Sequence, residues 1–232
     1  MISFTLATPF AVTTRSLDSV AVGQKFTNVQ GTFWQQSSWG GECLFQNSWP
    51  QPTNLPYVAL AVNLYGQAEY CGACIKVTPV DRKHPPKIGI INTVCANCPT
   101  NALDMGPDLY NSIMGNTPGR PGLTHVDWEI VECPLGNSNM RLISKDGASQ
   151  WHFSLQVAST ITPVTKVEAR SPTSQNKWLI AKRKEYNYWE LAPGDAVGGE
   201  AEIRVTCSSG RSVIIPKVKI FSSNLVITNT NC

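Results

Sequence analysis

Residues 93–106 read TVCANCPTNALDMG, in which two cysteines flank two residues and a single carboxylate, Asp104, follows shortly after. Three chemistries suit those residue types. The Cys-x-x-Cys pair could ligate zinc, cycle as a redox dithiol, or close as a disulfide that staples the loop carrying the acid. Asp104 in turn could act as a catalytic acid, grip a polar substrate, or simply cap the helix expected just after it. The macrodipole of that helix would favour the anion, whereas burial against a substrate would favour the protonated form.

The remaining cysteines bear on the choice. Eight are present, Cys43, Cys71, Cys74, Cys95, Cys98, Cys133, Cys207 and Cys232. Cys71 and Cys74 followed by Cys95 and Cys98 match the spacing of a four-cysteine zinc site. An oxidised framework accounts for all of them, a zinc site for half, and the even count suits a secreted chain. A thioredoxin-like pair would need a helix N-terminus to stabilise a thiolate, and neither pair opens a helix. Spacing alone leaves on the order of a hundred pairings open. Two local closures stand out: Cys95 with Cys98, pinning the loop before Asp104, and Cys207 with Cys232, fastening the chain end.

Charged residues make up 15% of the chain, against roughly a quarter in ordinary globular proteins. With abundant Gly, Pro, Trp and Cys, this composition points to a loop-rich, extracellular, all-β protein. The formal net charge of +3 is spread without any long run, so no basic face for nucleic acid is expected. The opening MISFTLATPFAVTTRS lacks a basic start and is too short to cross a bilayer. Residues 1–28 are read as an N-terminal extension or a remnant of a processed signal.

From residue 57, YVALAVNLYG, CIKVTPV, IGIINTVC and HVDWEIVEC read as strands between Gly, Pro and Asn turns. Only GPDLYNSIMG breaks the pattern: Pro107 suits a first helical position, Leu109, Ile113 and Met114 share a face, and Gly115 stops it. This predicts one short helix inside a β domain. CPLGNSN at 133–139 reads as an interdomain junction, and a second series follows: MRLIS, WHFSLQV, VTKVEAR, KWLIAKR, YNYWELA, AEIRVTC and SVIIPKV, with SSGR as a hairpin turn. Such evenly spaced short strands suit a β-sandwich. The expected organisation is an extension over 1–28, a barrel domain over 29–134, a linker over 135–139 and a sandwich over 140–232.

In order and spacing, these segments resemble an expansin. GTFWQ (31–35) resembles its Thr-containing first strand, GGEC (40–43) its cysteine turn, YCGAC (70–74) its CGxC pair, NALDMGPDLY (101–110) the approach to its helix, and VDWEIVEC (126–133) its closing strand. SKDGASQWHFSLQV and KEYNYWE resemble its second domain, and the likeness runs from about residue 29 to the end. The resemblance implies a six-stranded double-psi β-barrel followed by an immunoglobulin-like β-sandwich that binds cellulose, with bridges Cys43–Cys71 and Cys74–Cys133. It also implies a secreted, monomeric cell-wall protein that loosens contacts among cellulose, xyloglucan or mixed β-glucan chains without hydrolysis and without a cofactor. On this reading neither nucleic acid nor membrane is a partner.

By that resemblance Asp104 is the key acid, Thr32 supplies a hydroxyl that bonds a sugar or the acid, and Trp151, Tyr186 and Lys145 form part of a binding platform. Two departures matter. The family often carries a second Asp at the position of Thr93, and a flat aromatic at the position of His152. Glycoside hydrolysis normally needs two carboxylates, and the sequence sets none opposite Asp104. Asp127 and Glu129 alternate with Val126, Trp128 and Ile130, the pattern of a solvated strand face. A weak β-glucan-cleaving enzyme, such as an endoglucanase or lytic transglycosylase, and a plain carbohydrate-binding or host-interaction protein remain as alternatives.

The aromatics of the second domain pull in two directions. Strict alternation in WHFSLQV would bury Trp151 with Phe153, Leu155 and Val157, whereas the resemblance exposes it; both hold if regular pleating begins after Trp151. In YNYWEL, alternation places Tyr186, Tyr188 and Glu190 outward and Trp189 inward, so Tyr188 joins Tyr186 and His152 among the expected binding residues.

Overall fold

The computed structural model describes residues 20–35, 40–45, 54–115, 122–136 and 139–232. Residues 1–19 of the expected extension and 137–138 of the expected linker lie outside these.

The first half forms a closed barrel. Its strands are β1 (Lys25–Phe33), β2 (Tyr57–Ala61), β3 (Cys74–Pro79), β4 (Lys87–Cys95), β5 (Leu103–Met105) and β6 (Thr124–Val131), in spatial order β1-β5-β2-β4-β3-β6. β1 lies parallel to β5 and β2 parallel to β4, while the other pairings are antiparallel. This is the double-psi arrangement. β1 starts at Lys25, ahead of the boundary read at residue 29, and Val20 already belongs to the barrel core.

That core is built by alternation. Val126, Trp128 and Ile130 of β6 are fully buried, and Phe26 stacks on Trp128 at 4.1 Å. The acids between them face outward as expected. Asp127 pairs with Arg82 at 2.7 Å, and Glu129 pairs with Lys25 at 3.1 Å and with Lys76. Those two lysines, by hydrogen bonding, hold the Glu129 carboxyl below the ordinary carboxylate range.

Helix α2 (Pro107–Met114) has Pro at its first turn, buries Leu109 and Ile113, and stops at Gly115. The expectation of a single helix is corrected by α1 (Val62–Tyr65), a one-turn helix that ends β2 inside YVALAVNLYG. The apolar run continued past the strand because Leu64 is buried in the same core, so apolarity alone could not mark the change of backbone.

The second half contains β7 (Arg141–Ser144), β8 (Ser154–Ala158), β9 (Val164–Arg170), β10 (Leu179–Arg183), β11 (Trp189–Glu190), β12 (Glu200–Cys207), β13 (Ser212–Lys219) and β14 (Leu225–Ile227). β10 pairs with β9 through Leu179–Ala181 and with β11 through Lys182–Arg183, so the strand order β13-β12-β9-β10-β11-β8-β7-β14 folds over into two layers. Leu142 and Leu155 from one layer meet Val167, Ala169, Ile203 and Val205 from the other in a single core. SSGR is the β12–β13 turn, closed by Gly210 donating to Cys207 O at 2.9 Å. The short edge strand β14 was not anticipated.

Four disulfides join Cys43–Cys71, Cys74–Cys133, Cys95–Cys98 and Cys207–Cys232, leaving no free cysteine among the described residues. The zinc and dithiol alternatives therefore do not describe this state. No helix among the described residues is long and apolar enough to cross a membrane.

A third apolar cluster ties the two halves together. Cys43, Phe45, Cys74, Ile90 and Cys133 from the barrel side pack with Leu135, Ile143 and Ala158. Gln156, fully buried on β8, donates to Cys43 O at 2.9 Å, and Asn187 donates to the same oxygen at 3.0 Å. Arg183 donates to Ala68 O at 2.8 Å while its guanidinium stacks 4.5 Å from the Trp189 ring. Every residue of β8 is buried, because one face meets the sandwich core and the other meets the barrel.

Candidate functional site

Asp104 sits at the centre of β5. Its register partners are Thr32 on parallel β1 and Ala59 on antiparallel β2, and Ala59 is in turn opposite Thr93 on β4. Thr32, Asp104, Ala59 and Thr93 thus form one rung across four neighbouring strands, and laterally paired residues point to the same sheet face. Thr32 Oγ1 donates to Asp104 Oδ1 at 2.7 Å, and both side chains are half-buried. The helix cap is Gly106, with no side-chain capping bond, so Asp104 is not a helix cap.

The segment leading to Asp104 is fixed by Asn101, which sequence reading missed. Asn101 takes a left-handed backbone, φ 61°, a conformation that Asn tolerates better than most residues. Its side chain accepts from Asn63 at 2.9 Å, its N–H donates back to Asn63 at 2.9 Å, and its carbonyl accepts from the buried Trp128 indole at 3.0 Å. On the other flank the Cys95–Cys98 bridge lies against the acid: both sulfurs and an Asp104 oxygen are all within 4.8 Å of one another.

Thr93, where the family often has Asp, is buried and accepts from Glu42 N at 3.0 Å. Gly41 permits that cover. Its φ is 81°, and a Cβ there would stand 2.5 Å from Thr93 Cβ. Several other acids of the barrel are engaged elsewhere: Asp127 and Glu129 in the ion pairs above, Asp81 with Lys83 at 3.6 Å, and Glu69 on Gln67 N at 2.7 Å.

Trp151 is 76% exposed. Ser149 and His152 exchange backbone bonds at 3.0 Å, which makes Gln150 and Trp151 the corners of a tight turn, and β8 begins only at Ser154. Alternation therefore governs Phe153 onward and leaves Trp151 outside it. His152 is exposed beside it.

Tyr186 is half-buried, with Lys145 Nζ 4.3 Å from its ring centroid. Its hydroxyl donates to Glu190 Oε1 at 2.8 Å, and Glu190 also accepts from Ser154 Oγ at 3.0 Å. Burial first, and then the Glu190 carboxylate, push the Tyr186 hydroxyl up to about 12. Tyr188 corrects the expectation of an outward ring, being 1% exposed. The strand pattern fails there because β11 begins at Trp189 and Asn187 takes a left-handed φ of 62°. Tyr188 belongs to a hairpin turn, in which Lys184 N donates to its carbonyl at 2.7 Å.

Two further links join the aromatic patch to the barrel. Ser154 and Gln156 share a face of β8 by strand alternation; Ser154 reaches Glu190 under Tyr186, while Gln156 reaches the barrel at Cys43. The Tyr65 hydroxyl of α1 lies 2.9 Å from Glu42 O and 2.8 Å from Glu185 O, its one proton serving either carbonyl, and so sits between the barrel loop and the residue before Tyr186. Burial, with the nearby Glu42, Glu185 and Glu69 charges, raises the Tyr65 hydroxyl above its ordinary value. None of Gln156, Asn187 or Tyr65 was singled out from sequence, since each acts through a contact distant along the chain.

No family model matches the chain. A curated protein of Bacillus subtilis (strain 168), Expansin-YoaJ, is 30% identical over 120 residues, 50% of this chain and 47% of that protein. Expansin-like protein 1 of Dictyostelium discoideum is 23% identical over 192 residues, 77% of this chain and 63% of that protein. The chain is thus similar to proteins of the expansin family. It spans about half to two thirds of the length of these expansin relatives. The fold agrees: the apo crystal structure of the Clavibacter michiganensis expansin superposes with a TM-score of 0.74 at 21% identity, covering 90% of this chain and 98% of that one. A point variant of that expansin in complex with cellohexaose gives 0.73 at 20% identity, with the same coverage. The double-psi barrel and the immunoglobulin-like sandwich are thus the two units of this chain, in the arrangement of those expansin structures.

Proposed function

We propose that this chain binds β-glucan chains and loosens noncovalent contacts between cell-wall polysaccharides without cutting them. The observation that carries the reading is the rung itself. It holds one acid, Asp104, hydrogen-bonded to Thr32 at 2.7 Å, and ends in Thr93, whose hydroxyl is already taken by Glu42 N. Two strand spacings separate the Asp104 and Thr93 positions, roughly 10 Å, close to the carboxylate separation of inverting hydrolases. A threonine there supplies no base.

Asp104 and Thr32 would exchange hydrogen bonds with sugar hydroxyls, while Trp151 and Tyr186 would stack on the C–H faces of the rings. Lys145, held over Tyr186, contributes a donor at the patch edge, and exposed His152 a polar contact. The links through Cys43 and Tyr65 favour one surface running across both units. The expansin relatives and the cellohexaose complex of the structural neighbour support a cellulose-like ligand, and four disulfides fit an oxidising, extracellular setting. The chain is read as acting as a monomer, with xyloglucan and mixed β-glucan as further substrates.

Incubation with insoluble cellulose, scored for depletion, reducing ends and creep of a wall specimen, tests this. Asp104→Asn should abolish creep and leave depletion nearly intact. Trp151→Ala with Tyr186→Ala should abolish depletion. Reducing ends that accumulate with the parent chain and vanish with Asp104→Asn would instead make it a glucan-cleaving enzyme, and depletion without creep a plain binding protein.

A further inference from the structure

The Cys95–Cys98 bridge differs from the other three in two respects. Cys43, Cys74, Cys133, Cys207 and Cys232 are all buried, so each of the other bridges has at least one inaccessible cysteine, whereas Cys95 and Cys98 are both half-buried with Ala96 and Asn97 exposed between them. Thiol–disulfide exchange requires a thiolate to reach a sulfur, so this bridge, in which neither cysteine is buried, offers more access to attack than the other three. It is also the bridge that stands against a carboxylate, with both sulfurs and an Asp104 oxygen within 4.8 Å of one another.

We propose that, once reduced, Cys95, Cys98 and Asp104 form a site for a soft divalent cation, zinc above all. A small thiol attacks one sulfur, breaking the S–S bond and forming a mixed disulfide while the other cysteine leaves as a thiol; a second small thiol attacks the small-molecule sulfur of that mixed disulfide and releases the remaining cysteine, leaving two cysteine thiols and one disulfide of the reductant. Zinc then binds both sulfurs and the Asp104 oxygen as the two thiols lose their protons. Tetrahedral ligand atoms at zinc bond lengths of about 2.0–2.3 Å lie roughly 3.5 Å from one another, a spacing that side-chain rotation reaches from the observed cluster. The two-residue gap between the cysteines is the usual chelating spacing. Two thiolates and a carboxylate crowded together repel, and a dication relieves that repulsion. Three protein ligands leave a fourth position to water.

The test uses the full chain. Oxidised protein is exposed to graded reduced glutathione, alkylated and peptide-mapped. Label on Cys95 and Cys98 before any other cysteine is expected, and an earlier opening of another pair overturns the proposal. Thiol-treated, desalted protein is then titrated anaerobically with zinc and with cobalt. One ion per chain and a thiolate-to-cobalt charge-transfer band are expected, both absent from the oxidised chain, which serves as a folded control. Asp104→Asn should weaken zinc affinity at least tenfold. No bound metal after reduction, or undiminished affinity in Asp104→Asn, overturns the site. Neither readout involves a glycan, so failure here is separable from failure of the loosening reading.

Discussion

Trp151→Ala separates binding from folding most cleanly. The indole is 76% exposed at the corner of a turn, so its removal opens no cavity, and stability should change by no more than about 0.5 kcal/mol. If one indole face stacks on sugar, about 100 Å² of apolar surface leaves water. At about 25 cal/mol per Å² that is worth about 2.5 kcal/mol. Each tenfold in affinity takes about 1.4 kcal/mol, which sets a ceiling of about 60-fold. Losses from ordering the ligand lower this, so a ten- to sixtyfold weakening of cellulose binding is expected in depletion isotherms. The contrasting control is Tyr188→Ala. That ring is 1% exposed, and large-to-small truncation of a buried aromatic costs about 3–5 kcal/mol. An affinity within twofold of the parent for Trp151→Ala, or a melting loss comparable to that of Tyr188→Ala, would refute the reasoning.

Two other perturbations probe the framework. Glu168 accepts from Arg204 at 2.6 and 2.7 Å and pairs with Lys166 at 3.2 Å; the Arg204 hydrogen bonds, outweighing burial, hold its carboxyl below its ordinary value of 4.5. A carboxyl lowered on folding stabilises fully above the unfolded value, and that contribution drains away as pH falls through the lowered one. Glu168→Gln should therefore cost about 3 kcal/mol near neutrality, with the deficit shrinking below about pH 4; a pH-independent deficit in urea melts would contradict this. Arg183→Met keeps an apolar stem near Trp189 but removes the donors to Ala68 O and Val164 O. It should lower stability by about 2 kcal/mol and separate the melting of barrel and sandwich in calorimetry, whereas an unchanged single transition would show that Arg183 does not couple them.

Sequence alone determined whatever depends on local order along the chain. Periodicity marked most strands, since alternate residues face opposite sides of a sheet. Pro107 and Gly115 bounded a helix because one fits a first turn and the other a left-handed stop. The closures Cys95–Cys98 and Cys207–Cys232 were two candidates among the many pairings that spacing leaves open, and Cys43–Cys71 and Cys74–Cys133 rested on family resemblance; the fold decided all four.

Tertiary structure decided what depends on groups far apart in sequence. Tyr188 turned inward because Asn187 breaks the pleat before the two-residue β11 begins. Strand pairing aligned Thr32, Asp104, Ala59 and Thr93 into one rung, although they are spread over some seventy positions. Gln156 and Asn187 converged on the Cys43 carbonyl because a buried backbone oxygen needs a donor, wherever along the chain that donor originates. Periodicity reports which side of its own strand a residue faces; what stands opposite it is set by how the strands close on one another.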